Sequence, residues 1–193
     1  MQRTQRGGGE PLVPGMPSAE TDRETPSLAY LHVRFQGLIT GNVHENRRQM
    51  TFHQQVRTIY GPVASWYDVL PDDNPDALGE RGAQLDCERL SVIEMPTPLG
   101  QGKSIALVAE GNAAIKGRDF TARGARITFD QAKKMLVLEG DGRADAFLSY
   151  QKHPGAKPDE IFAQKIQYWP ETNKTSISGF RSLDIQLDKG PWR

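Results

Sequence analysis

An all-β fold, a short solenoid of stacked antiparallel strands behind a disordered N-terminal tail, is what this sequence predicts. Three observations carry that expectation. Apolar residues recur with period two through most of the chain after residue 27. Gly, Asn, Asp and Pro interrupt these runs at short intervals. A strand-pair pattern recurs at an irregular spacing.

The elements follow in order. Residues 1–27 hold four Gly and four Pro with few large apolar groups. Such a segment buries too little surface to offset its ordering entropy, and it reads as a tail or linker. Residues 28–193 form the β-domain. In Ala29–Gln36, Ala29, Leu31, Val33 and Phe35 share one face and Tyr30, His32, Arg34 and Gln36 the other. Gly37 breaks the run, and Leu38–Val43 resumes it. Cys87 sits in an alternating run and reads as a small buried strand residue. Lys103–Glu110 is a strand, Gly111-Asn112 a turn, and Ala113–Lys116 extended. Gly117-Arg118-Asp119 turns, Phe120–Phe129 extends, and Asp130–Lys134 turns. Met135–Glu139 is a strand, Gly140-Asp141-Gly142 a turn, and Arg143–Tyr150 extended. A Pro/Gly loop spans His153–Asp159, Ile161–Trp169 is a strand, and Pro170–Asn173 turns. Two last runs end at Leu187, where Leu183, Ile185 and Leu187 alternate with Ser182, Asp184 and Gln186. The best helix candidate, Asp130–Leu138, is short and suits a hairpin turn as well.

The repeat is weak but consistent. Cys87–Val92, Ala122–Ile127 and Ala163–Tyr168 share the order small, polar, polar, apolar, polar, large apolar. Near them stand Gly41-Asn42, Gly111-Asn112 and Gly140-Asp141, each tolerant of left-handed backbone. One such unit cannot bury its own apolar face, whereas stacked units can.

Composition narrows function. Basic and acidic residues balance at 24 each. That balance argues against nonspecific nucleic-acid binding and against a polybasic membrane clamp. One cysteine allows neither an intrachain disulfide nor a thiolate zinc site. No apolar run is long enough for a transmembrane helix. The N-terminus lacks the apolar core of a secretory signal. Either the protein is intracellular or this is a piece of a longer exported chain. The end at Lys189–Arg193, straight after a strand-like run, favours the second reading.

Glu110–Asp130 followed by Leu136–Ala144 resembles the OstA-like (organic-solvent-tolerance) family. Its repeat reads Gly-Asn-Val, a few residues, Ala-x-x-φ-x-φ-Asp, a turn, and φ-x-x-Gly-Asn-Val, where φ is apolar. The resemblance is best over residues 103–187 and weaker over 37–94. Asp141 and Ala113 replace the usual Asn and Val in single copies, and insertions at 61–84 and 151–160 lengthen two loops.

The family includes periplasmic bridge proteins of lipopolysaccharide transport and the N-terminal domain of the outer-membrane translocon. The resemblance implies a V-shaped β-jelly roll whose apolar interior accepts acyl chains. It implies lipopolysaccharide or another amphiphile as a partner, and other OstA-like domains joined through edge strands. It places the chain in the periplasm or cell envelope, in a non-enzymatic role in outer-membrane assembly. The inward candidates on this reading are Ile105, Leu107, Ile127, Phe129, Val137, Phe147, Ile166 and Tyr168. The same alternation also describes an ordinary dry sandwich core.

No catalytic residue, metal site or cofactor is expected. His32, His44, His53 and His153 are scattered. Gly100–Ser104 lacks the first glycine of a phosphate loop, Thr97 standing near its place. Asp72–Asp76 lacks EF-hand spacing, and Asp184 with Asp188 is not spaced as an acid/base dyad. Asn173-Lys174-Thr175 fits a glycosylation sequon. The competing function is a carbohydrate-binding or adhesive module, motivated by Trp66, Tyr67, Tyr168 and Trp169. An enzyme of the β-helix type finds no recurring carboxylate cluster.

Overall fold

The computed structural model describes residues 28–184 apart from 43, 45–47, 73, 80–81, 97–102 and 154. The expected tail at 1–27 and the run beyond Asp184 lie outside the described residues. The architecture is all-β, as the alternation predicts. One ten-stranded antiparallel sheet contains every described strand. In chain order these are β1 (Leu28–Arg34), β2 (Ile39–Asn42), β3 (Gln49–Val63), β4 (Ala83–Pro96), β5 (Lys103–Gly117), β6 (Phe120–Asp130), β7 (Met135–Glu139), β8 (Ala146–Tyr150), β9 (Asp159–Trp169) and β10 (Lys174–Asp184). Neighbours follow chain order except that β1 and β2 both pair with β3, and β7 and β8 lie end to end between β6 and β9.

The sheet is folded on itself along one line. Register shifts occur between His53 and Val56, Asp86 and Arg89, and Glu110 and Ala113. β6 and β9 pair with β7 on one side of that line and with β8 on the other. The first layer therefore holds β2, residues 49–53, 89–96, 103–110, 126–130, β7, 165–169 and 174–178. The second holds β1, residues 56–63, 83–87, 113–117, 120–124, β8, 159–163 and the end of β10. Side chains from both layers make one core. β1 and β2 act as a single kinked edge. The Gln36 N–H donates to the Gln54 carbonyl at 2.9 Å and the Gly37 N–H to the His53 carbonyl at 3.0 Å, which carries the ladder across the break.

Bulges supply the bend, since an extra residue turns a strand and increases its twist. Gln54 (φ 68°) and Gln55 (φ 47°) form one bulge, and Gly111 (φ 81°) and Asn112 (φ 47°) another. Gly111-Asn112 is thus not the turn expected between two strands. It is a bulge inside β5, which runs unbroken across both layers. The other pairs differ from expectation as well. Gly41-Asn42 lies inside β2 without positive φ, and the loop at Gly140 has its left-handed residue at Gly142 (φ 87°). In that loop Asp141 Oδ1 accepts from the N–H groups of Arg143 (2.9 Å) and Ala144 (2.7 Å). Those two N–H groups hold the Asp141 carboxyl below its usual range.

The repeat has a structural meaning. Each copy straddles the fold line. Cys87, Ala122 and Ala163 lie on the second-layer side of the line and Leu90, Ile127 and Ile166 on the first-layer side, and all six are buried. With Ala109, Ala113 and Ala146, also buried, the small residues line the inside of the bend. Facing layers converge there and leave no volume for larger groups. Further out Leu136, Leu148 and Ile161 fill the gap, each 0–2% exposed. Each is worth about 1.5–3 kcal/mol of burial.

On the outside of the bend, charges alternate along the register. Arg89 is opposite Glu110, Glu110 opposite Arg126, Arg126 opposite Glu139, and Glu139 opposite Lys165. Arg89–Glu110 is 3.1 Å, Arg126–Glu110 4.0 Å and Lys165–Glu139 2.9 Å. Exposed pairs contribute little individually, but a slip of register would separate all of these opposite charges at once. The 64–82 connection packs on the outer face of the second layer. Its short 3-10 turn at Pro75–Leu78 places Leu78 (2% exposed) against Gly61, an outward residue of β3 two positions from the buried Ile59.

Candidate functional site: an apolar trough closed at one end

The inner face of the first layer is built from two rows. The row nearest the bend is Phe52, Leu90, Ala109, Ile127, Leu138, Ile166 and Ile177 in lateral order; the next is Met50, Val92, Leu107, Phe129, Leu136 and Tyr168. The first row is apolar throughout and the second is apolar as far as Tyr168, whose partner on β10 is Thr175, because each strand contributes every second residue.

Burial changes along these rows. At the β6–β9 end the interior is closed. Phe120 packs on Tyr168 with ring centroids 5.4 Å apart, and Tyr150 on Tyr168 at 5.7 Å. The Tyr168 hydroxyl donates to Asn173 Oδ1 at 2.8 Å. Burial drives the Tyr168 hydroxyl pKa well above the ordinary tyrosine value, with Tyr150 adding to the effect. Asp159, its side chain 3% exposed, is held by Lys152 Nζ at 2.9 Å beside this cluster.

At the β1–β5 end the interior is open. Leu31 is 40% exposed, Ile39 51%, Met50 49% and Ile105 39%. The register places all four on the inner face: Ile39 pairs with Phe52, Ile105 with Glu94 beyond Val92, and Leu31 lies two residues from Val33. Val33, Phe35, Phe52, Val92, Leu107 and Phe129 are partly buried against the core between them. Phe35 and Phe52, centroids 5.3 Å apart, close the bend beneath this opening.

Six of the eight inward candidates lie on this inner face. Ile127, Ile166 and Tyr168 are buried, Leu107 and Phe129 are half-buried, and Ile105 is exposed at the mouth. Val137 and Phe147 do not lie there. Val137 pairs with Thr128 and Gln167 on the outer face, between inward Leu136 and Leu138. Phe147 pairs with Phe162 outside, ring centroids 4.9 Å apart, between inward Ala146 and Leu148. Sequence reasoning missed Leu31, Ile39 and Met50 as mouth residues. Leu31 was legible as inward, but nothing local distinguishes an exposed inward residue from a buried one.

The aromatic candidates separate. Tyr168 is interior, 1% exposed, so it cannot serve as a sugar platform with Trp169. Trp169 instead lies under Lys174 Nζ, 5.6 Å from its ring. Trp66 and Tyr67 are 83% and 92% exposed on a turn pinned by Asp68, whose Oδ2 accepts from the N–H groups of Ala64 (3.0 Å) and Ser65 (2.8 Å). Among the described residues no group of three His, Cys, Asp or Glu could hold a metal. His53 meets Thr40 Oγ1 at 2.9 Å and His32 meets Tyr30, two unrelated places on the surface. Burial, with the Asp86 carboxylate adding, pushes the Cys87 thiol up to about 12, which makes it an inert core group. No helix of the described residues is long and apolar enough to cross a membrane.

The class these features define is a folded antiparallel β-trough, packed solid at one end and open at the other. No protein-family model and no curated protein matches the chain. Among solved structures it is similar to LptH of Pseudomonas aeruginosa, described as the LptA-homologous periplasmic component of the conserved lipopolysaccharide transport device. Identity is 14%, the alignment covers 86% of this chain and 99% of that one, and the TM-score is 0.49.

Proposed function

We propose that this chain is a non-catalytic cell-envelope domain that shelters the acyl chains of lipopolysaccharide, or of a related lipid, during outer-membrane assembly. The observation that carries this reading is the open end of the trough. Leu31, Ile39, Met50 and Ile105 extend the rows of the core, yet each is 39–51% exposed. A protein gains nothing from leaving an inward apolar row half in water, whereas each acyl CH₂ that covers it leaves water with a gain of about 0.8 kcal/mol. The sequence resemblance to the OstA-like family supports the same cargo and a periplasmic setting. Edge strands suit assembly too: the β1–β2 edge and β10 each pair on one side only among the described strands, so strand addition can join this domain to others of its kind.

The test is lipid capture. The purified protein is mixed with lipopolysaccharide and followed by size exclusion with mass analysis. A photo-crosslinker at Met50 or Ile105 is expected to label with lipid, and one at Val137, on the outer face, is not. A folded protein that captures no lipid at either inner position refutes the carrier role. A second reading, an adhesive or glycan-binding module, rests on the pinned and exposed Trp66 and Tyr67. A glycan array that lights up, and goes dark with Trp66→Ala, would favour it.

A further inference from the structure

The mouth of the trough is not uniformly apolar. Along β4 the inner face runs Leu90, Val92, Glu94, from fully buried to the rim. Glu94 is the register partner of Ile105, and its N–H donates to the Arg48 carbonyl at 2.8 Å. Arg48 Nε is 4.0 Å from Glu94 Oε2, and Lys103 Nζ contacts Glu94 Oε1. Lys103 lies two residues beyond Ile105 on the inner side of β5. Two cations thus share one carboxylate immediately outside Met50 and Ile105. The cations are open to solvent, with side chains 58% and 56% exposed, whereas the Glu94 side chain is only 25% exposed.

The order along the strands is therefore apolar at depth and cationic at the rim. A surplus of one positive charge remains after Glu94 is counted. That sequence of environments matches an amphiphile with its chain inside and an anionic head at the mouth.

We propose that Arg48 and Lys103 form a head-group subsite that selects anionic amphiphiles, of the phosphate-ester class, over neutral ones. The proposal rests on the acyl-trough reading and adds the chemistry of the head. Glu94 positions both cations and moderates their strength.

The experiment compares three probes on the intact protein: dodecyl phosphate, dodecyl maltoside and inorganic phosphate, each by isothermal titration below its micelle concentration. Dodecyl phosphate is expected to bind roughly three- to tenfold more tightly than dodecyl maltoside, the scale of two partly screened charge contacts. Rising salt should erase that preference. The double substitution Arg48→Gln with Lys103→Gln is expected to remove it while leaving dodecyl maltoside unchanged. Glu94→Gln is expected to strengthen dodecyl phosphate binding, an effect opposite in sign to that of a damaged fold. Equal binding of the two detergents, unmoved by these variants, overturns the subsite and leaves the trough intact. Inorganic phosphate binding as tightly as dodecyl phosphate also overturns it, because the cluster would then be a free-anion site. Binding of neither detergent by a folded protein overturns the trough and the subsite together.

Discussion

The bend in the sheet depends on Gly111, and replacing it with alanine tests this directly. Gly111 has φ 81°, in the region where a Cβ costs about 1–2 kcal/mol. Its missing Cβ would also sit 2.7 Å from Glu88 Cβ and 2.9 Å from Glu88 Cγ, on the neighbouring strand. Glu88 Cγ can swing away, but Glu88 Cβ is fixed to its backbone, so the strands must part locally. Gly142 is the natural comparator. Its φ is 87° and nothing lies within 4 Å of its would-be Cβ, so alanine there meets only the backbone cost. Gly142→Ala should lose about 1–2 kcal/mol, and Gly111→Ala about 1 kcal/mol or more beyond that, as overpacking does. Urea unfolding followed by circular dichroism reads both, as a fall in midpoint at constant slope. In thermal melts each 1 kcal/mol should appear as about 2–4 °C for a domain of this size. If Gly111→Ala loses no more than Gly142→Ala, close approach at Glu88 does not hold the bend. If both lie within about 0.5 kcal/mol of the parent protein, the left-handed geometry itself is refuted.

Thr58 is 2% exposed on the inner face and its Oγ1 has no hydrogen-bond partner. Thr58→Val should therefore stabilise by about 1 kcal/mol, checked by chemical denaturation; a loss would mean that the hydroxyl is satisfied. Cys87 should resist thiol reagents at pH 8 until the protein unfolds, which timed labelling in rising urea can follow. Its thiol stays protonated in the fold up to about 12, against 9.0 as the ordinary value. Above pH 9 the unfolded chain therefore binds fewer protons than the folded one, and stability falls as pH rises toward 12. Cys87→Ala should flatten the fall between pH 9 and 10, before the raised tyrosines Tyr150 and Tyr168 contribute. Glu110→Lys would place three cations in a row with Arg89 and Arg126. The expected loss of about 1 kcal/mol should shrink in 0.5 M salt, and a salt-independent loss would point to packing instead.

Much of the fold was legible from local pattern. Period-two alternation identified the faces of β1 and β9, and the repeat Cys87–Val92, Ala122–Ile127, Ala163–Tyr168 marked three of the places where strands cross the bend. Where the pattern was ambiguous, reading it failed. Met135–Leu138 is apolar at both parities, so alternation alone cannot say which half faces in. Pairing of Leu138 with Ile127 and Ile166 settles it and turns Val137 outward. At Ala146–Leu148 the large Phe147 looked like the core residue. The narrow bend takes Ala146 instead and leaves Phe147 outside against Phe162. Gln54-Gln55 carries no bulge signal, because glutamine has no special tolerance for positive φ; the pairing of β3 on both sides imposes it.

The sequence by itself determined an all-β chain, the faces of its cleanly alternating strands and the small residues of its repeat, because these follow from side-chain alternation and backbone preference within a few residues. Only the tertiary structure decided that Gly111-Asn112 bends a strand instead of ending it, since both outcomes use the same left-handed backbone and differ only in which strands pair beyond it. It alone decided, too, that the inner rows are sealed by Phe120, Tyr150 and Tyr168 at one end and left open around Met50 and Ile105 at the other. Whether an inward residue is dry depends on how far apart two layers stand, and that distance is set by side chains remote in the chain.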